Sequence, residues 1–165
     1  MKKFVVGVIV FSLVIVALGV YLLSRAPARV ALFPENEARI GLESRRYDFG
    51  SVRLNSGLIV HRYVIRNLGK IDLKIANLAS SCACIKVYFK SANQESPRAG
   101  MKGMTKISEW IGVLQPEESG EVIIEFDPNF HGPQGVGKIT RAVSFETNDP
   151  QNRYVELSFN GEVTK

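Results

Sequence analysis

Histidine and cysteine are scarce in this sequence, with two residues of each among 165. Two histidines leave little material for acid–base catalysis, although carboxylate pairs stay open as an alternative. The two cysteines, Cys82 and Cys84, have no second close pair, so the sequence lacks the usual signature of a structural zinc site. We therefore predict a protein that is not an enzyme and that carries no metal or other cofactor.

Acidic residues are absent from the first 29 positions, which contain Lys2, Lys3, Arg25 and Arg29. The other 17 lysines and arginines face all 16 acidic residues, so the net charge of +5 belongs mainly to the N-terminal end. Affinity for a phosphate backbone requires clustered cations, and the rest of the chain has a mixed surface. The composition thus predicts no binding of nucleic acid.

Charge is also absent from a run of 20 residues, from Phe4 to Leu23. As a helix this run would be about 30 Å long, which matches the hydrocarbon thickness of a bilayer. It has no polar stripe of the kind that a helix at a protein surface carries. We predict one transmembrane helix at 4–23, within an N-terminal anchor of residues 1–24.

Cleavage and orientation of this helix are separate questions. Ala26-Pro27-Ala28 offers a signal-peptidase site, but the apolar run is longer than a cleavable signal usually has, which favours a retained anchor. The positively charged residues on the two flanks do not decide the direction. A short basic head that leads directly into the apolar run is typical of an export signal. We therefore expect a single-pass protein of the cytoplasmic membrane with its domain on the extracytoplasmic side.

The rest of the chain divides into a linker, 25–44, and a domain, 45–165. The linker is predicted from Pro27, Pro34 and the lack of a sustained period. In the domain, short apolar segments alternate with turn signals, and Val155, Leu157 and Phe159 show the period of two of a half-buried strand. Seven or eight such strands predict an all-β, immunoglobulin-like antiparallel β-sandwich.

Several short motifs resemble those of a known family. Tyr47-Asp48-Phe49-Gly50 opens the domain, and an Asn-x-Gly turn lies at 67–69. The Ser-Cys-Gly-Cys element of the family is matched by Ser81-Cys82-Ala83-Cys84, with Ala83 at the expected glycine. The rest are a Pro-Gly-Glu-like turn at 116–118, with Glu117 at the glycine, then Thr147-Asn148-Asp149-Pro150 and Gly161. Together they resemble the bacterial family called domain of unknown function 1573, whose members are similar to immunoglobulin-like domains of the major-sperm-protein and hydin type. The resemblance implies a β-sandwich of the cell envelope without enzymatic activity, and the N-terminal layout described above places it on the periplasmic side.

Cys82 and Cys84 are the residues with the greatest chemical potential. In an extended chain both side chains would project to one face, with the Cα atoms near the upper limit for a disulfide. Three interpretations stay open, of which the structural one is favoured: a structural element at a strand end, an exchangeable redox disulfide, or a thiolate site for Cu(I) or Zn. For the third, His61, His131, Met101 and Met104 could supply further ligands.

The segment Gly132–Lys138 fits the spacing G-x-x-x-x-G-K of a phosphate-binding loop. Ile139 has no hydroxyl for Mg²⁺, and the residues from Lys138 onward alternate as a strand. A phosphate loop must instead open into a helix whose N-terminus holds the phosphates. We therefore predict a loop between two strands here and no nucleotide site.

The sequence as a whole predicts a membrane-anchored module that contacts a protein partner or has a structural role in the envelope. The contact would use exposed strand edges or the long segment 90–108, because an unpaired edge invites strand addition. The alternative is a thiol redox or Cu(I)-handling protein that acts through Cys82 and Cys84. No feature of the sequence identifies the partner.

Overall fold

The structure, a computed structural model, describes residues 2–24, 29–105 and 108–165. Helix α1 spans Lys2–Ser24, and its apolar stretch Lys3–Leu22 is long enough to cross a membrane, a property that anchors and signal sequences share. None of that stretch is buried against the rest of the protein. The cleavage motif Ala26-Pro27-Ala28 lies outside the described residues.

Nine strands follow within the described residues, and they form the predicted immunoglobulin-like fold. Their order along the chain is β1 (Ile40–Leu42), β2 (Arg46–Arg53), β3 (Ile59–Asn67), β4 (Leu73–Ser80), β5 (Ile85–Lys90), β6 (Ile111–Leu114), β7 (Ser119–Phe126), β8 (Gly137–Thr147) and β9 (Tyr154–Thr164). The fold class is thus confirmed, with one strand more than the upper number expected.

The strands form two sheets that pack face to face. One sheet has the order β1-β3-β7-β5, and the other has the order β2-β9-β8-β4-β6. Neighbouring strands are antiparallel except β2 and β9, which are parallel. The chain changes sheets between β1 and β2, where the N–H of Ser158 donates to the carbonyl of Arg45.

The core lies between the sheets and is built by the alternation expected for half-buried strands. In β9, Val155, Leu157, Phe159 and Val163 are at most 1% exposed, whereas Glu156 between them is exposed. The predicted two-residue period is therefore confirmed in this strand. Each such alternating strand places one face against the opposite sheet and leaves the other in solvent.

Residues 29–44, expected to be part of a linker, lie against the sandwich. Glu35 donates its backbone N–H to the carbonyl of Asn148 (2.9 Å), and Arg29 forms a 2.7 Å ion pair with Glu146. Leu32 is buried, and β1 lies within this range as a strand of the first sheet. Residues 25–28 lie outside the described part of the chain. The described residues 29–44 are therefore packed against the sandwich, because Leu32 is buried there and β1 pairs with β3.

The segment that fits the phosphate-loop spacing has the geometry of a strand connection. Gly132–Gly135 form one turn of 3-10 helix, and Lys138 is the second residue of β8. The strand predicted from Lys138 is therefore present.

Candidate functional site

Cys82 and Cys84 form a disulfide in the turn between β4 and β5. The chain turns at Ala83, so the two Cα atoms are 5.2 Å apart, closer than in the extended conformation considered from the sequence. Cys82 is 9% exposed and Cys84 is 3% exposed. Ala83 is not among the described residues with positive φ, so the turn does not require the glycine that the family motif has there.

Hydrogen bonds on both sides hold this turn in place. The hydroxyl of Ser80 donates to the carbonyl of Cys82 (2.8 Å), and the backbone N–H of Asp127 donates to the carbonyl of Cys84 (3.0 Å). Ser81 is tied to β8, because its N–H donates to Ala142 and its hydroxyl accepts from the N–H of the same residue. The cysteine pair is therefore anchored to both sheets of the sandwich.

His131 reaches the disulfide from the loop after β7. Its Nε2 lies 3.4 Å from Sγ of Cys82, and the backbone N–H of Cys84 also approaches this sulfur at 3.3 Å. The two sulfurs and one imidazole nitrogen lie within 4.8 Å of one another. The imidazole is exposed, so solvent reaches the cluster from the side of His131. Below, "the Cys–His cluster" means Cys82, Cys84 and His131.

The other ligands considered from the sequence are not part of this cluster. His61 stacks on Tyr47 with ring centroids 3.6 Å apart, and it meets Tyr63 edge-on. Met104 is 73% exposed, and Met101 lies in a bridge to Ser80. The structure thus selects His131 from the four candidates. Cys82 and His131 are 49 positions apart, a distance that leaves no spacing signal from which the sequence could have identified this pair.

The aromatic cluster around His61 links the two sheets. The hydroxyl of Tyr63 in β3 donates to the carbonyl of Ser158 in β9 (2.8 Å). Burial, with a smaller contribution from Tyr47, raises the pKa of Tyr63 to about 12. Burial also lowers the pKa of His61, so its neutral form is favoured. These groups form a packed inter-sheet contact.

Segment 93–101 covers the outer edge of β5. Val87 and Ala99 exchange two backbone hydrogen bonds of 2.8 to 2.9 Å, and the N–H of Ser96 donates to the carbonyl of Phe89. Ser96 is buried. Over its described part, the long segment predicted as a contact loop is thus largely occupied in completing the sheet.

The opposite edge of the same sheet is open over half of β3. The N–H of Asn67 donates toward β7, to Glu118, whereas the N–H of Leu68 donates to Arg39, next to β1. Because antiparallel bonding alternates, Val60, Arg62 and Val64 also direct their backbone groups away from β7. β1 ends at the pair Leu42–Ile65, and because Ile65 bonds toward β7 this pair is flanked by the bonded pairs Gly41–Arg66 and Glu43–Val64. Val60 and Arg62 lie beyond the end of β1, and within the described residues β3 has no strand partner on this side of them. We call residues 60–62 the β3 edge.

Comparison with known proteins places the fold. A family described as HYDIN/CFA65/VesB-like, Ig-like domain, matches residues 38–162. The chain belongs to this family. The resemblance to hydin-type domains is therefore confirmed, while the narrower assignment to domain of unknown function 1573 stays a prediction. A search of curated proteins gave no match.

Several solved structures are similar to this chain over most of its length. A protein of unknown function from Porphyromonas gingivalis W83 is 19% identical with a TM-score of 0.56, and the match covers 84% of this chain and 51% of that one. The chain thus spans about half the length of the Porphyromonas protein. The PapD-like domain 7 of human CEP192 is 14% identical, with a TM-score of 0.49 and coverage of 84% and 95%. The secreted serine protease VesC from Vibrio cholerae is 15% identical, with a TM-score of 0.42 and coverage of 76% and 23%.

At these identities the structural likeness shows the fold alone. An Ig-like domain with an N-terminal apolar helix fits a non-enzymatic interaction module. Ig-like folds of this kind are typical of non-enzymatic domains. Two features of this HYDIN/CFA65/VesB-like domain could bind a ligand. The β3 edge has backbone groups without a strand partner, and the Cys–His cluster has two sulfur atoms and one imidazole nitrogen close together.

Proposed function

We propose that this protein is a membrane-anchored Ig-like module of the bacterial envelope that binds an extended segment of a protein partner along the β3 edge. The observation that carries the proposal is the backbone of Val60 and Arg62, which points away from β7 beyond the end of β1 and has no strand partner there within the described residues. An edge strand with free N–H and C=O groups is a template for an added strand, and proteins that do not use such an edge usually protect it.

The contrast between the two edges of this sheet supports the proposal. At β5 the edge is covered by segment 93–101, whereas the β3 edge contains no proline and has no covering segment among residues 2–24, 29–105 and 108–165. Val60 is 47% exposed and the neighbouring Leu58 is 61% exposed, so an apolar contact surface lies beside the free backbone. The side chain of Arg62 is 58% exposed. A partner strand with alternating apolar and acidic side chains would complement this edge in shape and charge.

The location we propose is the periplasmic side of the cytoplasmic membrane, with α1 retained as the anchor. The disulfide supports the side, because disulfides persist in oxidising compartments such as the bacterial periplasm. The motif Ser81-Cys82-Ala83-Cys84 and the turns at 67–69 and 147–150 support membership of the group called domain of unknown function 1573. None of these features bears on the identity of the partner.

Site-specific photo-crosslinking in living cells tests the proposal. With a photoreactive residue at Val60 we expect a discrete crosslinked product, and with the same residue at Asn93, in the segment that covers β5, we expect none. Arg62→Pro should abolish the Val60 product, because proline removes an N–H that points away from β7 and leaves the β3–β7 bonds in place. The matched variant Arg62→Ala keeps that N–H and should keep the product.

Two results would contradict the proposal. One is equal crosslinking from Val60 and Asn93, and the other is a Val60 product that survives Arg62→Pro. Fluorescence of Trp110, the single tryptophan of the chain, reports whether each variant is folded.

A further inference from the structure

We propose that the Cys–His cluster is a redox-gated binding site for Cu(I). The disulfide is the closed state, and the reduced pair of thiolates together with His131 is the state that binds the ion. This inference is independent of the β3 edge and of any partner bound there.

The geometry of the cluster suits one metal ion. Bonds of roughly 2.3 Å to sulfur and 2.0 Å to nitrogen put the ligand atoms of a trigonal site about 4 Å apart. In the structure the three ligand atoms already lie within 4.8 Å of one another. Reduction lets the two sulfurs separate from bonding distance, and Nε2 of His131 lies 3.4 Å from Sγ of Cys82 before any movement. The imidazole therefore stands where a third ligand is required.

The surroundings of the cluster hold the two cysteines in fixed positions, which favours binding of an ion between them. Cys82 and Cys84 are 9% and 3% exposed, and the hydrogen bonds from Ser80 and Asp127 hold the turn that carries them. A ligand set fixed in this way loses little conformational freedom on binding. His131 is exposed and provides the entry path for the ion.

The ligand set selects the metal. Thiolates are soft ligands that favour Cu(I) or Zn, and imidazole suits both. Structural zinc sites almost always have four protein ligands. Among the described residues, the cluster offers three ligand atoms from His, Cys, Asp or Glu side chains, one fewer than a structural zinc site requires. Two sulfurs and one nitrogen are sufficient for Cu(I), which is stable at low coordination number.

The redox step balances with a dithiol reductant. Its two thiols transfer two electrons and two protons to the Cys82–Cys84 bond, which yields two cysteine thiols and an oxidised, disulfide form of the reductant. Binding of one Cu(I) then displaces the two thiol protons. Thiol–disulfide exchange with an oxidised, disulfide-containing partner re-forms the Cys82–Cys84 bond, and the partner leaves as its dithiol after it takes up two electrons from the cysteines and two protons from solvent. Both sulfur ligands are then lost and the bound Cu(I) is released.

Anaerobic titration of the full-length chain in detergent micelles, with Cu(I) supplied as its bicinchoninate complex, tests the site. We expect the dithiol-reduced protein to take up one Cu(I) per chain and the oxidised protein to take up none. Cys82→Ser and Cys84→Ser should each abolish uptake. His131→Ala should weaken binding by about tenfold or more, because even loss of an outer-shell partner costs that much. The matched control is His61→Ala, which removes the other histidine and should bind as the wild type does.

X-ray absorption at the copper edge gives a second readout that does not depend on affinity. The wild type should show two sulfur neighbours and one nitrogen neighbour, and the nitrogen should disappear in His131→Ala. Because His131 is exposed, this variant is expected to fold even if a cysteine variant does not. The proposal is overturned if the reduced protein takes up no Cu(I), if His131→Ala binds as tightly as the wild type, or if Zn(II) displaces Cu(I) from the site.

Discussion

Buried polar side chains at the turns hold this sandwich together at the scale of single residues. Asn67, Asn148 and Asp149 are each at most 1% exposed. The amide of Asn67 donates to the carbonyls of Ile71 and Leu114, and the carbonyl oxygen of its side chain accepts from Gly69. Buried polar groups are stable only when they are hydrogen-bonded. The turn motifs that carry the family resemblance thus have a structural role, which leaves the cysteine element as the motif with a chemical one.

Asp149 gives a prediction about pH. Burial acts to raise the pKa of its carboxyl, but donation from the backbone N–H of Ile40 and from Asn152 and Gln151 outweighs burial, and the pKa lies below its ordinary value. The carboxylate therefore contributes its full stabilisation above the unfolded-state pKa of about 3.9, and this contribution is lost as the pH falls through the lower folded-state pKa.

Asp149→Asn should remove this contribution. The NH₂ group of the new asparagine would lie against N–H groups that donate to the carboxylate in the wild type, so hydrogen bonds would be lost. We expect the free energy of unfolding at pH 7 to fall by about 1–3 kcal/mol. Urea unfolding followed by Trp110 fluorescence should also show a smaller loss of stability for the variant than for the wild type on going to pH 3. The exposed Asp72→Asn serves as the control and should keep the wild-type dependence on pH. An unchanged acid profile for Asp149→Asn would exclude the role assigned to this carboxylate.

Glu117 gives a prediction about backbone strain. Its φ is +68°, in the left-handed region, and it stands where the family motif has glycine. A non-glycine residue costs about 1–2 kcal/mol there, partly offset by the greater unfolded-state freedom of glycine. Glu117→Gly should therefore raise the free energy of unfolding by about 1 kcal/mol, measured by urea unfolding.

Glu117→Ala separates this backbone effect from the ion pair with Arg66. Both partners of the pair are about half exposed or more, so the pair itself contributes little. We expect Glu117→Ala to remain within about 0.5 kcal/mol of the wild type. If the alanine variant gains as much stability as the glycine variant, the strain argument is wrong.

At the scale of elements, two serines near the outer edge of β5, Ser91 and Ser96, allow a controlled comparison. The hydroxyl of Ser96 accepts a 2.9 Å hydrogen bond from the N–H of Phe89, which lies in the buried part of the strand. The hydroxyl of Ser91 is also buried but has no hydrogen-bond partner within the described residues. The two side chains are therefore chemically identical, but only the hydroxyl of Ser96 has a hydrogen-bond partner among the described residues.

Substitution of each serine by alanine should have opposite consequences. Ser96→Ala leaves the N–H of Phe89 without its acceptor and should cost about 1–2 kcal/mol, whereas Ser91→Ala removes an unsatisfied group and should be neutral or slightly stabilising. Urea unfolding measures both, and hydrogen exchange at Phe89 should be faster in Ser96→Ala alone. Equal losses in the two variants would mean that segment 93–101 does not complete the sheet in solution.

The length of a strand determines whether the sequence could predict it. Long alternating strands such as β8 and β9 were predictable because their two-residue period is set by the core that they line. β1 and β6, of three and four residues, are too short to display a period, and β1 exists because β3 offers it a partner. For the same reason Cys82 and Cys84 were evident as neighbours in sequence, while the approach of His131 depends on how the loop after β7 returns to the turn between β4 and β5.

At the scale of the whole molecule, the apolar helix points to attachment at a membrane, and the disulfide points to the oxidising side of that membrane. None of the 20-residue stretch Lys3–Leu22 is buried within the described part of the protein, and burial of its apolar surface in a bilayer is the arrangement that removes it from water. The sandwich carries a disulfide, which an oxidising compartment maintains. The two features are compatible if the chain crosses the membrane once and the domain lies outside the cytoplasm.

This arrangement predicts that the intact chain remains in the membrane. Alkaline carbonate should not extract it, and the mass of the purified protein should include the N-terminal helix, because the apolar run is longer than cleavable signals have. A reporter enzyme that is active only after export, fused after Lys165, should be active. Replacement of Val10 and Val14 by arginine is the control, since two charges near the centre of the span oppose insertion, and it should abolish reporter activity. A mature chain that begins after Ala28 would show that the helix is a signal peptide, and an inactive wild-type fusion would place the domain, and with it the Cys–His cluster, in the reducing cytoplasm.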